Sequence, residues 1–260
     1  MVGTLQALSV VTREAFVLLK RDKIFLPAIV FGVGVILVAN LVSGWSVAEF
    51  WKILFDVGYF GFQLVGLAGA VFWGIKSISD SRAQGALEVQ LAAPVGRAVW
   101  LVGKYLGLAL ALILLWAILL ALWTGLMVLN DFGMLTSPQL GSFVFMLIGW
   151  LVAAAVSTLF ASCAGQAVAM FATVATLIVG LASSLVAATL SPDTSAGLRR
   201  AVQLVARVWD LQQFNLVSRA VDGTFPDQTE LMTRGAYGAA LIFLLITLAC
   251  LLFARRDVNP

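Results

Sequence analysis

The sequence predicts an all-α integral membrane protein with six transmembrane helices and both termini on the cytoplasmic side. Three observations carry that prediction. Hydrophobic residues make up 62% of the 260 residues and charged residues only 11%, where a soluble domain usually carries about 25% charged residues. A chain this apolar, with a mean hydropathy of +1.03, cannot hide its surface in one aqueous core and needs lipid as solvent. Charge-free runs of spanning length recur along the chain, and the basic residues collect in one set of the segments that join them.

Residues 1–23 come first. Leu5, Leu8, Thr12, Phe16 and Leu19 follow helical spacing, while Gln6, Arg13 and Lys20 fall on another face. The pattern predicts an amphipathic helix lying on the inner membrane surface. A cleaved signal would place its charges ahead of an uninterrupted apolar run. Here the charges sit among and after the apolar positions.

The spans follow. A crossing helix needs roughly 20 mostly apolar residues. Ile24–Ala48, Val57–Ile75 and Tyr105–Asn130 supply the first three. The charge-free run Phe132–Pro192 is too long for one helix and is expected to fold as two, with a break near Ser162–Gln166. Gly235–Ala254 is the sixth. With the N-terminus inside, the inner segments hold Arg13, Lys20, Arg21, Lys23, Lys76, Arg82, Arg97, Lys104, Arg255 and Arg256, and the short outer loops hold only Lys52. That asymmetry is the positive-inside pattern. Lys20, Arg21, Lys23, Lys104, Arg255 and Arg256 are expected at the membrane boundary.

The outer segment 191–234 carries five arginines balanced by Asp193, Asp210, Asp222, Asp227 and Glu230. Val202, Val205 and Trp209 share helical spacing, with Arg200, Gln203 and Arg207 elsewhere, which predicts one or two short interfacial or re-entrant helices. No second soluble domain fits, so residues 1–260 are expected to form a single transmembrane domain.

Between the second and third spans, residues 76–104 gather charge in a chain that otherwise avoids it. Asp80, Gln84 and Glu88 form one i, i+4 row, and Ala83, Leu87 and Leu91 another. Pro94 ends this short helix, because proline lacks an N–H and disfavours helix before it. Arg97 and Lys104 mark the inner edge of the third span, with side chains long enough to reach the headgroups. The residues leave two readings open: a connector resting on the membrane, or a docking helix for a cytoplasmic partner.

The stretch "GALEVQLAAPVGRAVWLVGKYLG" resembles the inner loop of ABC-2 type transporter permeases. Gly85, Leu87, Glu88, Leu91, Pro94, Val95, Arg97, Gly103 and Lys104 fit the family pattern. Ala86 stands where Thr is usual, Gly96 where Ser is usual, and Asp80 is the one acid of the preceding cluster. "KRDK" before the first span, the outer segment and the closing "FARRDVNP" extend the resemblance along the chain, which is similar to the branch of nitrous-oxide-reductase maturation and gliding-motility permeases. The resemblance implies a bacterial inner-membrane permease subunit that works with two copies of a separate ATPase subunit and a second, generally identical, permease chain. It implies that Asp80, Arg82, Gln84, Gly85, Leu87, Glu88, Leu91, Pro94 and Arg97 form the coupling site for that ATPase. The break at Ser162–Gln166 would be a second inner contact, and residues 1–23 the connecting helix. The segment 191–234 could meet an extracytoplasmic partner.

Several chemistries have no basis in the residues. A phosphate-binding loop needs G-x-x-x-x-G-K-[ST]. At Gly103-Lys104, Ala98 replaces the first Gly and Tyr105 the final Ser/Thr. ATP and Mg are therefore expected through the partner, with no cofactor on this chain and no enzymatic activity of its own. The chain has no His, which removes the commonest proton shuttle and metal ligand. Cys163 and Cys250 are expected as buried packing thiols. No acid lies within a span apart from Asp56 at an outer end, against the pattern of an ion-coupled carrier. The net charge of +3 gives no ground for a nucleic-acid partner. Trp45, Trp51, Trp73, Trp100, Trp123 and Trp150 lie near span ends and are expected as interfacial anchors. The small residues of "LVAAAVSTLFASCAGQAVAMFATVA" suit close helix packing, in a hairpin or a dimer seam.

Overall fold

A computed structural model describes residues 2–23, 25–43, 50–83, 96–129, 133–190 and 195–255. Among these residues the chain is helical, with no strand. Amphipathic α1 (Val2–Lys20) is followed by α2 (Phe25–Ser43), α3 (Phe50–Ala83), α4 (Arg97–Leu129), α5 (Ser137–Cys163) and α6 (Gln166–Thr189). Then come α7 (Ala196–Val208), a 3-10 turn at Leu211–Phe214, α8 (Val217–Val221) and α9 (Gln228–Arg255). Six of these helices, α2 to α6 and α9, are long and apolar enough to cross a membrane. The six predicted spans are thus present in the predicted order.

The run Phe132–Pro192 divides as expected. Thr136 donates its N–H to Oε1 of Gln139 at 2.9 Å and Pro138 sits in the first turn, so α5 starts with its free N–H groups partly answered. The division falls at Ala164 and Gly165, both in extended backbone. Two residues suffice to reverse the chain between antiparallel helices.

Helix α3 departs from the prediction. It has 34 residues, about 51 Å at 1.5 Å per residue, where about 30 Å spans the hydrocarbon. The helix is thus longer than the hydrocarbon layer, and Lys76, Asp80 and Arg82 lie on its last turns. Asp80 and Arg82 were expected on a separate short helix; the structure places them on α3. Lys76 does not end the helix, which continues to Ala83.

Helix α5 is the centre of the bundle, packed against α3, α4, α6 and α9. Of its spanning window 72% is buried, against 22% for α2 and α9 and 28% for α6, so those three helices turn apolar faces outward. Ala153, Ala154, Ala155 and Ser157 of α5 and Ala169 and Thr173 of α6 are buried within the chain, whereas the larger Val168, Phe171, Val174 and Ile178 of α6 are exposed.

The tryptophans correct the sequence reading. Trp73, Trp100, Trp123 and Trp150 are fully buried. Trp123 meets Phe55 and Phe62 edge-on at 5.6 Å, Trp73 stacks on Phe25 at 5.3 Å, and Trp150 fills the space left by the missing Cβ of Gly66. These rings are core, not interfacial anchors; Trp45 lies outside the described residues. Cys163 is also not a buried packing thiol: it is exposed at the α5–α6 turn, and Cys250 is half-buried.

Candidate functional site

One end of the bundle assembles α1, the C-terminus of α3, the N-terminus of α4, the α5–α6 turn and the C-terminus of α9. Helix α1 reaches it through two glycines of α4. A Cβ at Gly103 would stand 2.7 Å from Val11 Cγ1, and one at Gly107 would collide with Ala15. Gly103 and Gly107, one turn apart, let the two backbones approach, as small-xxx-small pairs do in membranes. The buried face of α1 is accordingly Val11, Ala15 and Leu19. The predicted face was rotated from this one: Leu19 belongs to both, but Leu5 is 70% exposed.

Arg82 sits on the last turn of α3. Its guanidinium donates to the carbonyl oxygens of Ser162 at 2.6 Å and Ala164 at 3.2 Å. These belong to the end of α5, where carbonyls lack intrahelical donors and the dipole favours a cation. The same guanidinium lies 5.9 Å from the ring of Phe253. Phe253 stacks on Trp100 at 5.6 Å and 17°, and Lys104 Nζ lies 5.5 Å from the Trp100 ring. Arg97, at the start of α4, donates to the carbonyl oxygen of Ala254 at 3.3 Å. The two arginines that flank residues 84–95 thus cap the ends of two other spans. Arg82 and Arg97 belong to the expected coupling site, and both bond to the chain's own helix ends.

A second cluster lies alongside. Lys76 Nζ donates to Asp22 Oδ2 at 2.5 Å, tying α3 to the link between α1 and α2. Glu14, Asp22, Lys76, Ser77, Asp80, Ser81 and Lys104 line a cavity of about 200 Å³ with Ala15, Leu18 and Leu19. Lys104 is only 3% exposed. It was expected to extend outward at the membrane boundary, but its side chain is enclosed between Trp100 and this cavity. Lys20, Arg21, Lys23 and Arg255 are exposed, as boundary residues would be. Gln84, Gly85, Leu87, Glu88, Leu91, Pro94 and Arg256 lie outside the described residues.

At the opposite end the segment before α9 folds back into the bundle. Trp209 Nε1 donates to the carbonyl oxygen of Thr176 at 2.8 Å, and Ser183 Oγ to that of Trp209 at 2.9 Å. Thr176 lies thirteen residues before the end of α6 at Thr189, about 20 Å along the helix. Leu211 and Phe214 are buried behind it, and Tyr59 of α3 donates to the Phe214 carbonyl at 3.4 Å. The segment holds the two short helices α7 and α8, and the 3-10 turn between them packs against α5 and α6. Arg234 donates to Glu230 at 2.6 Å and to the Gln213 carbonyl at 2.6 Å, fixing the return.

Among the described residues no three His, Cys, Asp or Glu groups gather as metal ligands. The residues brought together are helix caps, stacked rings and a charged cavity at one mouth of a six-helix membrane bundle. That is the build of a multi-pass membrane protein. The chain matches the ABC-2 family transporter protein family over residues 5–258 and belongs to that family. Among curated proteins, none matches it.

Proposed function

We propose that the chain is the permease subunit of an ATP-binding cassette transporter, coupling ATP hydrolysis in a separate ATPase subunit to export or conformational work. The α1 end of the bundle is the cytoplasmic face, in an inner membrane of bacterial type. The ATPase docks on the segment from Asp80 to Leu91. A second permease chain completes the path.

The observation that supports this reading most directly is the placement of Arg82 and Arg97. They bracket residues 84–95 and bond to the ends of α5 and α9. A push on that segment would reach α3 and α4 through the backbone, and α5 and α9 through the two guanidiniums. Such ties suit rigid-body movement of packed helices. The test is purification in mild detergent from cells expressing the chain with its natural neighbours, followed by mass spectrometry. A stoichiometric ATP-binding subunit supports the reading, and a chain that purifies without one removes it.

A second reading has one observation in its favour. Leu198, Leu204, Val205 and Val208 of α7 are exposed, on the segment that faces away from the proposed ATPase side. A subunit that drives an extracytoplasmic partner without moving a solute would use that surface. Copurification of an outer partner distinguishes this reading.

A further inference from the structure

Helix α7 leaves two different faces uncovered. It packs on α6, and Val202 and Ala206, one turn apart, are partly buried. Leu198, Ala201, Val205 and Val208 follow one another at three or four positions and are all exposed, with Leu204 beside them. Arg200, Gln203 and Arg207 repeat at the same spacing and are exposed as well. Helical periodicity puts each set on its own face. The charges of the helix are Arg199, Arg200 and Arg207, with no acid among its residues.

The helix is tied to the end of a spanning element. Ser183 Oγ of α6 donates to the carbonyl oxygen of Trp209, the residue that caps α7, at 2.9 Å. Ser183 lies six residues before the end of α6, about 9 Å along it. At the other end, Ala196 follows Thr189 by seven positions, a reach of at most about 25 Å. Both ends of α7 are therefore held near the mouth of α6, which is long and apolar enough to cross a membrane.

Charge selects the occupant of these faces. A second copy of α7 would set arginine against arginine. A lipid surface answers both faces at once: aliphatic side chains enter the acyl boundary while guanidiniums stay at the headgroups and pair with phosphate. With a zwitterionic headgroup the amine offsets the field of the phosphate. With a net anionic one it does not.

We propose that α7 lies in the headgroup layer and binds anionic phospholipid, with Leu198, Leu204, Val205 and Val208 among the acyl chains and Arg200 and Arg207 on the phosphates. This holds whichever end of the bundle is cytoplasmic. It also covers with lipid the surface that an extracytoplasmic protein would use.

The experiment places the purified full chain, carrying Cys163→Ala and Cys250→Ala, in phosphatidylcholine nanodiscs. A bimane probe is attached through Leu204→Cys on the apolar face or Gln203→Cys on the basic face. A small fraction of the lipid is phosphatidylglycerol or phosphatidylcholine with a nitroxide on its acyl chain, which quenches the probe on contact. A probe at Phe243→Cys, exposed on α9, is quenched by both lipids throughout and reports an intact bundle. The expected result is strong quenching at position 204 and little at 203, with phosphatidylglycerol enriched at 204 about fivefold, the worth of one basic residue at an anionic surface. Arg200→Gln with Arg207→Gln removes the enrichment and leaves quenching by phosphatidylcholine unchanged. Raising salt from about 0.1 to about 1 M shortens the screening length from about 10 to about 3 Å and lowers the enrichment in the chain that keeps both arginines. No quenching at 204 by either lipid, as when water or a protein covers the face, overturns the proposal. So does equal quenching by the two lipids, or an enrichment that survives loss of both arginines.

Discussion

The guanidinium of Arg82 donates to the carbonyl oxygen of Ser162 at 2.6 Å, joining residues eighty positions apart. With the second bond to Ala164, it closes the end of α5 and anchors the exit of α3 on the turn to α6. Removing this side chain takes the guanidinium donors away from both carbonyls in a partly enclosed place. Arg82→Ala is expected to destabilise the purified chain by about 2 kcal/mol, the scale of hydrogen bonds to a charged donor. Arg82→Lys is expected to fall between, since an ammonium keeps the charge but not the planar fork. Thermal melts of the three proteins in one detergent check the order. Equal melting of wild type and Arg82→Ala would contradict the assignment.

The approach of α1 to α4 depends on the space at Gly107. Gly107→Leu places a branched side chain where Ala15 and the α1 backbone stand. Overpacking of this kind costs about 1–3 kcal/mol, and here it is relieved by lifting α1. The expected outcome is faster proteolysis within residues 2–20 with the spans intact, read by limited digestion and peptide mapping. Protection equal to wild type would mean α1 is held by other contacts.

The spans were legible in the sequence because charge is costly in hydrocarbon, so charge-free runs mark the apolar layer. The break after Cys163 was legible from small polar residues in an otherwise unbroken run. The azimuth of each helix was not. Lipid and helix core are equally apolar, so the composition around Trp73, Trp123 and Trp150 could not show whether they face inward. Likewise Lys104 read as a boundary charge and Arg82 as part of a coupling site, because sequence distance from a span end does not reveal which way a long side chain turns. The Gly103-x-x-x-Gly107 spacing was the one signal that could have located the seat of α1. The helical continuation of α3 past Lys76 was hidden for another reason: a charge ends the apolar layer but not the backbone hydrogen bonding.

The segment 209–217 is tied to α6 by the bond from Trp209 Nε1 to the carbonyl oxygen of Thr176. Trp209→Phe keeps the ring and loses the donor. The expected cost is about 1 kcal/mol, with earlier hydrogen exchange in residues 209–217 than in α5. Unchanged exchange in that segment would show that apolar packing of Leu211 and Phe214 suffices.

Cys163 offers a direct reading of sidedness. It is exposed at the α5–α6 turn, and Cys250 is half-buried. If this end is cytoplasmic, a membrane-impermeant maleimide is expected to label Cys163 in inverted vesicles and not in intact cells. Cys163→Ala supplies the control. Labelling in intact cells would reverse the proposed orientation.

The central claim is that residues 84–95 receive the work of a separate ATPase. The measurement that tests it most directly is the ATPase rate of the copurified complex, with wild-type chain and with Gly85 or Glu88 replaced, at equal membrane insertion. The account predicts that the bound ATPase of wild type loses its transport-coupled activity, or dissociates, in both variants. Full coupled activity in both would contradict it and return this stretch to a connector between two spans.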